Sequence, residues 1–132
     1  MRETIEKSLV LLIIRLGAGA MIMTHGIPKI GRLMADEVKF ADPFGLGPTV
    51  SLALATFAEV VCAVLVIIGF KVRLATIPLM ITMLTAAFYA HWDDPFSRKE
   101  LPLMFFLTFL GLAVFGGGKF SIDGAISSRR TI

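Results

Sequence analysis

The chain has 132 residues, enough for one domain, of which 56% are hydrophobic and only 17% charged. Soluble domains are roughly 45–50% apolar even with glycine counted, so a mean hydropathy of +0.82 excludes an ordinary soluble fold and points to an integral membrane protein. The net charge of +3 comes without a basic patch interleaved with aromatics, which argues against nucleic acid as a partner, and the single cysteine, Cys62, excludes an internal disulfide or a CxxC redox pair.

A helix needs about 20 residues to cross the hydrocarbon core, and four segments predict one: residues 8–30, 49–70, 74–92 and 101–115. The first follows Arg2 and Lys7, and Ala18-Gly19-Ala20 imitates a signal-peptide cleavage site. The apolar run Leu9–Ile14 ahead of Arg15 is only six residues, however, shorter than the usual 7–15 of a signal peptide. Apolar sequence resumes at once, so the segment reads as a retained span. Pro28 cannot donate to the Thr24 carbonyl, which predicts a kink. Gly47-Pro48 opens the second segment, with proline in the first turn where a missing N–H costs little. Ser97-Arg98-Lys99-Glu100 fits a capping box for the fourth, which is short unless it borrows Lys99 and Glu100. Gly116-Gly117-Gly118 ends it.

The expected fold is therefore all-α: a single domain over 1–132, an integral membrane four-helix bundle with both termini on one side. The N-terminus, the loop between the second and third helices and the C-terminal tail hold Arg2, Lys7, Lys71, Arg73, Lys119, Arg129 and Arg130; the other side holds Lys29, Arg32, Lys39, Arg98 and Lys99. Seven against five, with the seven close to helix ends, makes the termini cytoplasmic by the positive-inside rule.

Two charges interrupt the apolar spans. Glu59 lies ten residues from one end of its segment and eleven from the other, and a charge at a helix centre costs roughly 2.5–3.5 kcal/mol on insertion scales. Residues three, four and seven away share a helix face. Around Arg15 these include Ala18, Gly19 and Ile22, and around Glu59 they include Ala55, Thr56, Cys62 and Ala63. Small residues mark helix–helix contacts in membranes, so both charges point inward. Depths counted from Lys7 and Lys71 differ by about 6 Å, which predicts an Arg15–Glu59 ion pair, either structural or the lining of a polar path.

A second cluster falls near the outer ends of the first and third helices. His25 and His91 each lie 17 residues from the start of their segments, at Ser8 and Leu74, and Lys29 is one turn past His25. Thr82, Thr85, Tyr89 and Trp92 share a face of the third helix. At α-helical spacing His91 is about 200° from Tyr89, so those two are not expected to share a face, and Tyr89 and Trp92 also read as an interfacial aromatic belt. The histidines are candidates for hydrogen-bonding a quinone carbonyl; haem ligation by His25 and His91 has no supporting spacing signature. Met21, Met23, Met80 and Met83 read as core filler, and no metal site is expected.

In order along the chain, Arg15 followed by small residues and "HGIPKI", then "FAEVVCAVLVIIGFKVR", then "FGGGKFSIDGAI" resemble the DoxX family of small four-helix bacterial membrane proteins. The resemblance implies an inner-membrane, multi-pass protein associated with redox systems, since relatives form the membrane subunit of thiosulfate:quinone oxidoreductases and others belong to thiol and oxidative-stress complexes. More distant relatives are chaperones or cargo receptors. Carried over by position, the recurring polar residues of the family are Arg15, His25, Lys29, Glu59, Arg73, Ser121 and Asp123, whereas the loop at 36–48 is longer than in the family's shortest members. The expected function is a membrane subunit of a quinone- or thiol/sulfur-linked redox complex, partnered by the lipid bilayer and by a redox protein or further copies of itself. The alternatives are a non-catalytic assembly subunit and a small-solute transporter. No nucleophile or acid–base constellation marks the chain as an enzyme by itself.

Overall fold

The computed structural model describes residues 2–40 and 42–130, with the side chains of 2–4 and 128–130 outside that description. Arg2, Arg129 and Arg130, three of the cations used to orient the termini, therefore have no described side chain. The described residues are helical, with no strand among them: α1 is Arg2–Leu33, α2 Pro48–Ile68, α3 Val72–Ala90, α4 Phe96–Phe115 and α5 Ile122–Arg130.

Among the described residues, three helices are long and apolar enough to cross a membrane: residues 5–33 of α1, all of α2 and all of α3. In lipid every backbone N–H and C=O must be satisfied within the segment, which makes an apolar stretch of this length helical whatever its intrinsic propensity. The fourth expected span is a helix of 20 residues, but Arg98, Lys99 and Glu100 occupy its first turns. The short helix α5 was not expected from the sequence.

The sequence punctuation is partly realised. Pro48 stands in the first turn of α2, and Gly116, at φ 75°, ends α4. The Ser97 capping box does not form: α4 starts at Phe96 behind Pro95, with no side-chain cap. Pro95 at φ −57° already presets the entry, which leaves Ser97 inside the helix. Pro28 is accommodated within α1, which runs on to Leu33.

Among α1 to α4, helices adjacent in the chain pack against each other, and α1 also meets α4. The core is built from Leu11, Ala18 and Ile22 of α1, Cys62, Ala63 and Val66 of α2, Leu79 and Met83 of α3, and Phe105, Phe109 and Leu112 of α4. The outward faces carry exposed Ile13, Val61, Leu74, Met104 and Val114. Lipid tails are as apolar as leucine, so close packing and small residues must hold the helices together. Gly26 is such a point: a Cβ there would fall 2.7 Å from Glu59 Cβ and 2.8 Å from the Glu59 carbonyl. Gly19 likewise faces Ala63 and Ile67, and the Arg15 guanidinium lies against Gly69. These three contacts set the antiparallel register of α1 on α2. At the same end as Arg15, the Lys119 amide donates to Ser8 Oγ at 3.2 Å, so the start of α1 and the C-terminal tail are neighbours.

Two stretches depart from α geometry. Phe57–Cys62 within α2 and Ala86–Ala90 at the end of α3 are π-helical. Single π turns inside helices recur at functional sites because they re-aim side chains. One of them carries Glu59 and the other precedes His91.

Candidate functional site

The expected Arg15–Glu59 ion pair is not formed. Glu59 Oε2 lies 2.6 Å from Lys29 Nζ, in a pair whose side chains are only 17% (Lys29) and 5% (Glu59) exposed. Lys29 also donates to the His25 carbonyl at 3.1 Å, in the turn below it. Arg15 is 1% exposed and reaches the other way. Its Nη1 donates to the Gly117 carbonyl at 3.1 Å and its Nη2 to the Phe120 carbonyl at 2.8 Å. The sequence estimate took Lys7 and Lys71 as markers of one depth. Lys7 instead stacks on Phe115, and Arg15 is level with Gly69. Ten residues of α2 separate Gly69 from Glu59, about 15 Å of helix rise, which is beyond the reach of a guanidinium. The inference that α1 and α2 lie side by side with small residues inward nonetheless holds, through Gly19 and Gly26.

Arg15 thus fastens the tail rather than the bundle centre, and the C-terminal motif has the same role. Asp123 accepts the Lys71 amide at 2.7 Å and the Val72 amide at 3.0 Å, closing the N-terminus of α3 from 51 residues away. The Asp123 amide donates in return to the Gly69 carbonyl at 2.8 Å. Ser121 Oγ accepts the Gly124 amide at 2.9 Å and donates to the Gly118 carbonyl at 2.6 Å, capping α5. Gly69, at φ 77°, lets the Arg15 guanidinium and Ser121 approach where any side chain would intrude.

At the opposite end a cavity of about 510 Å³ opens between the end of α1, the loop at 36–48, α2 and α3. Its wall is largely apolar, with Phe40, Phe44, Leu54, Phe57, Pro78 and Ile81, and its polar groups are Lys29, Glu59, Thr82, Thr85, Tyr89 and His91, with Arg32 and Ser51 at the loop. That is the volume and the mix of a small-ligand pocket. The loop is fixed by Asp42, which accepts the Leu46 and Gly47 amides at 2.9 and 3.0 Å and the Ser51 hydroxyl at 3.0 Å. Arg32 holds its near side through the Lys39 carbonyl at 2.9 Å and the face of Phe40. The hydroxyls of Thr82 and Thr85 donate to the carbonyls of Pro78 and Ile81 and leave oxygen lone pairs for a ligand.

The structure brings Tyr89 and His91 to the same cavity, against the expectation from α-helical spacing. The π turn Ala86–Ala90 and the end of the helix at His91, where φ is −112°, break the 100° periodicity on which that expectation rested. His91 Nδ1 is 2.7 Å from Asp94 Oδ2, so the carboxylate fixes Nδ1 as donor and leaves Nε2 for the cavity. This hydrogen bond, with Arg98 and Lys99 nearby, holds the Asp94 carboxyl below its ordinary value. His25 does not line the cavity and lies edge-on to Phe105 of α4, with ring centroids 6.3 Å apart. His25 and His91 are thus placed on different surroundings, which does not fit a pair of axial haem ligands. Trp92 sits outside the cavity, beneath Lys99, which donates to its carbonyl at 3.0 Å. Cys62 is enclosed in the core. The contribution of Phe40 and Phe44 of the loop, and of Arg32 and Ser51 on the helices that flank it, was missed from the sequence; Gly47-Pro48 marked where the loop ends, but nothing marked which cavity it covers.

Fold and site together define a multi-pass helical membrane protein with a polar-ended apolar cavity. The family model described as DoxX matches residues 10–92, more than half of the sequence, and the chain belongs to the DoxX family. The matched stretch holds Arg15, Lys29, Glu59 and His91, while the C-terminal Ser121 and Asp123 lie beyond it. No match was found among curated proteins or solved structures.

Proposed function

We propose that this DoxX protein is a bacterial inner-membrane subunit of a redox complex and holds a quinone-type ligand in the cavity beside Glu59. The observation that carries this reading is the Lys29–Glu59 pair set into a largely apolar wall. A quinone is a flat apolar ring with two carbonyl acceptors. Phe57, Pro78 and Ile81 supply apolar contact for the ring. Lys29, held in place by Glu59, donates to one carbonyl, and the Tyr89 hydroxyl serves the other. The cavity would open toward the outer leaflet, because the opposite end of the bundle carries Lys7, Lys71, Arg73 and Lys119, and Arg15 joins them there; by the positive-inside rule that end and both termini face the cytoplasm.

The test is solvent extraction of the purified protein, with quinone quantified by chromatography and absorbance. Near-stoichiometric quinone in the wild type, lost in Thr85→Phe while the helical circular dichroism is unchanged, is the expected result. An extract without quinone, or equal quinone in the filled-cavity variant, refutes the assignment.

A further inference from the structure

The end of the bundle remote from the ligand cavity carries a second concavity, about 460 Å³, walled by Lys71, Arg73, Leu74, Phe115, the Gly116–Gly118 run and Asp123. Arg73 lies along the glycine wall: a Cβ on Gly116 would fall 3.1 Å from its Nε and 3.6 Å from its Nη2. Among the described residues no carboxylate lies within ion-pair distance of Arg73 or Lys71. The carboxylate in the wall, Asp123, has both oxygens committed to the amides of Lys71 and Val72, and it closes the α3 N-terminus in doing so. Behind the wall, the buried Arg15 guanidinium donates to the Gly117 carbonyl and adds positive charge to the same end. Lys7, stacked on Phe115 at 4.6 Å, brings a further cation to the rim. Beside the cations the rim turns apolar, with Leu74 63% and Phe115 54% exposed.

Cations with no carboxylate partner among the described residues, beside exposed apolar side chains at the level where the spans begin, match the two halves of one kind of molecule. We propose that this groove binds an anionic phospholipid, its headgroup phosphate on Arg73 and Lys71 and the start of an acyl chain over Leu74 and Phe115. A zwitterionic headgroup carries a tethered cation that Lys71 and Arg73 repel, so the site selects net negative charge. The lipid would press the tail against the bundle at the point where Arg15 and Asp123 fasten it.

Native mass spectrometry of delipidated protein tests this with phosphatidylglycerol, phosphatidylcholine and inorganic phosphate as the three probes. Each Lys or Arg near an anionic membrane surface is worth roughly fivefold in binding. The double variant Lys71→Asn with Arg73→Gln is therefore expected to weaken phosphatidylglycerol binding about 25-fold. Asparagine suits position 71, where φ is 49°. A control removing two exposed cations at the other end, Lys39→Gln with Arg98→Gln, is expected to bind as the wild type does. Where circular dichroism shows that the double variant has lost helix, Arg73→Gln alone takes its place, with an expected loss of about fivefold. Equal binding in the wild type and the groove variant, an equal loss in the control, or displacement of the lipid by millimolar inorganic phosphate would each overturn the proposal.

Discussion

Replacing Glu59 by glutamine removes the carboxylate that Lys29 approaches at 2.6 Å. Stripping one partner from a buried ion pair costs roughly 3–5 kcal/mol, because the other charge is left uncompensated, whereas replacing both by apolar groups is often close to neutral. Lys29 keeps its bond to the His25 carbonyl and has some exposure, so the loss for Glu59→Gln falls at the lower limit, about 3 kcal/mol. The double variant with Lys29→Met is expected to recover about 2 kcal/mol of this loss, and because Lys29→Met alone also strands a buried charge, the coupling is at least about 2 kcal/mol. The parallel cycle with Arg15→Met discriminates sharply. About 15 Å of helix separates the two groups along α2, and sites that far apart add within roughly 0.5 kcal/mol. Equilibrium unfolding in mixed micelles, followed by circular dichroism, measures both cycles. A coupling between Arg15 and Glu59 as large as that between Lys29 and Glu59 would refute the register of α1 on α2 and, with it, the placement of the cavity.

Asp123→Ala removes the side chain that closes the N-terminus of α3, a loss comparable to that of a helix cap, about 1–2 kcal/mol; amide exchange should accelerate at Lys71 and Val72, whose N–H groups lose their acceptor, and unchanged exchange there would contradict the clasp. Asp94 gives a pH dependence whose sign follows from its depressed folded-state value, which has the His91 hydrogen bond as its main cause. The contact is present above the ordinary aspartate range and is lost as pH falls through the lower, folded value. Trp92 is the sole tryptophan and lies beside this pair, so its emission should carry an acid limb below the usual aspartate range, and Asp94→Asn should abolish that limb; a limb that persists unchanged in Asp94→Asn would contradict the His91–Asp94 contact as its source.

Composition alone determined that this chain enters a membrane and does so as helices, because in a medium without water an apolar run of such length has no other way to satisfy its backbone. Glycine and proline placed most helix ends to within a few residues, apart from the first helix, which extends further toward the N-terminus, and the fourth, which starts at Phe96 instead of Leu101. The sequence also singled out Arg15 and Glu59 as charges out of place in oil, His25, Lys29, Tyr89, His91 and Trp92 as a cluster at the outer ends of two helices, and the Ser121-x-Asp123 ending as a resemblance to the family. Which charge meets which was decided only by tertiary structure. The pairing depends on axial register, and register is set by where Gly19 and Gly26 allow α1 to approach α2, a contact that depth counted from flanking lysines does not reveal. The meeting of Tyr89 with His91 depends on a π turn, whose added residue rotates everything after it and leaves no mark in the apolar pattern. The role of Asp123 depends on a return of the chain across 51 residues to an amide pair on another helix, a closure that local sequence does not encode.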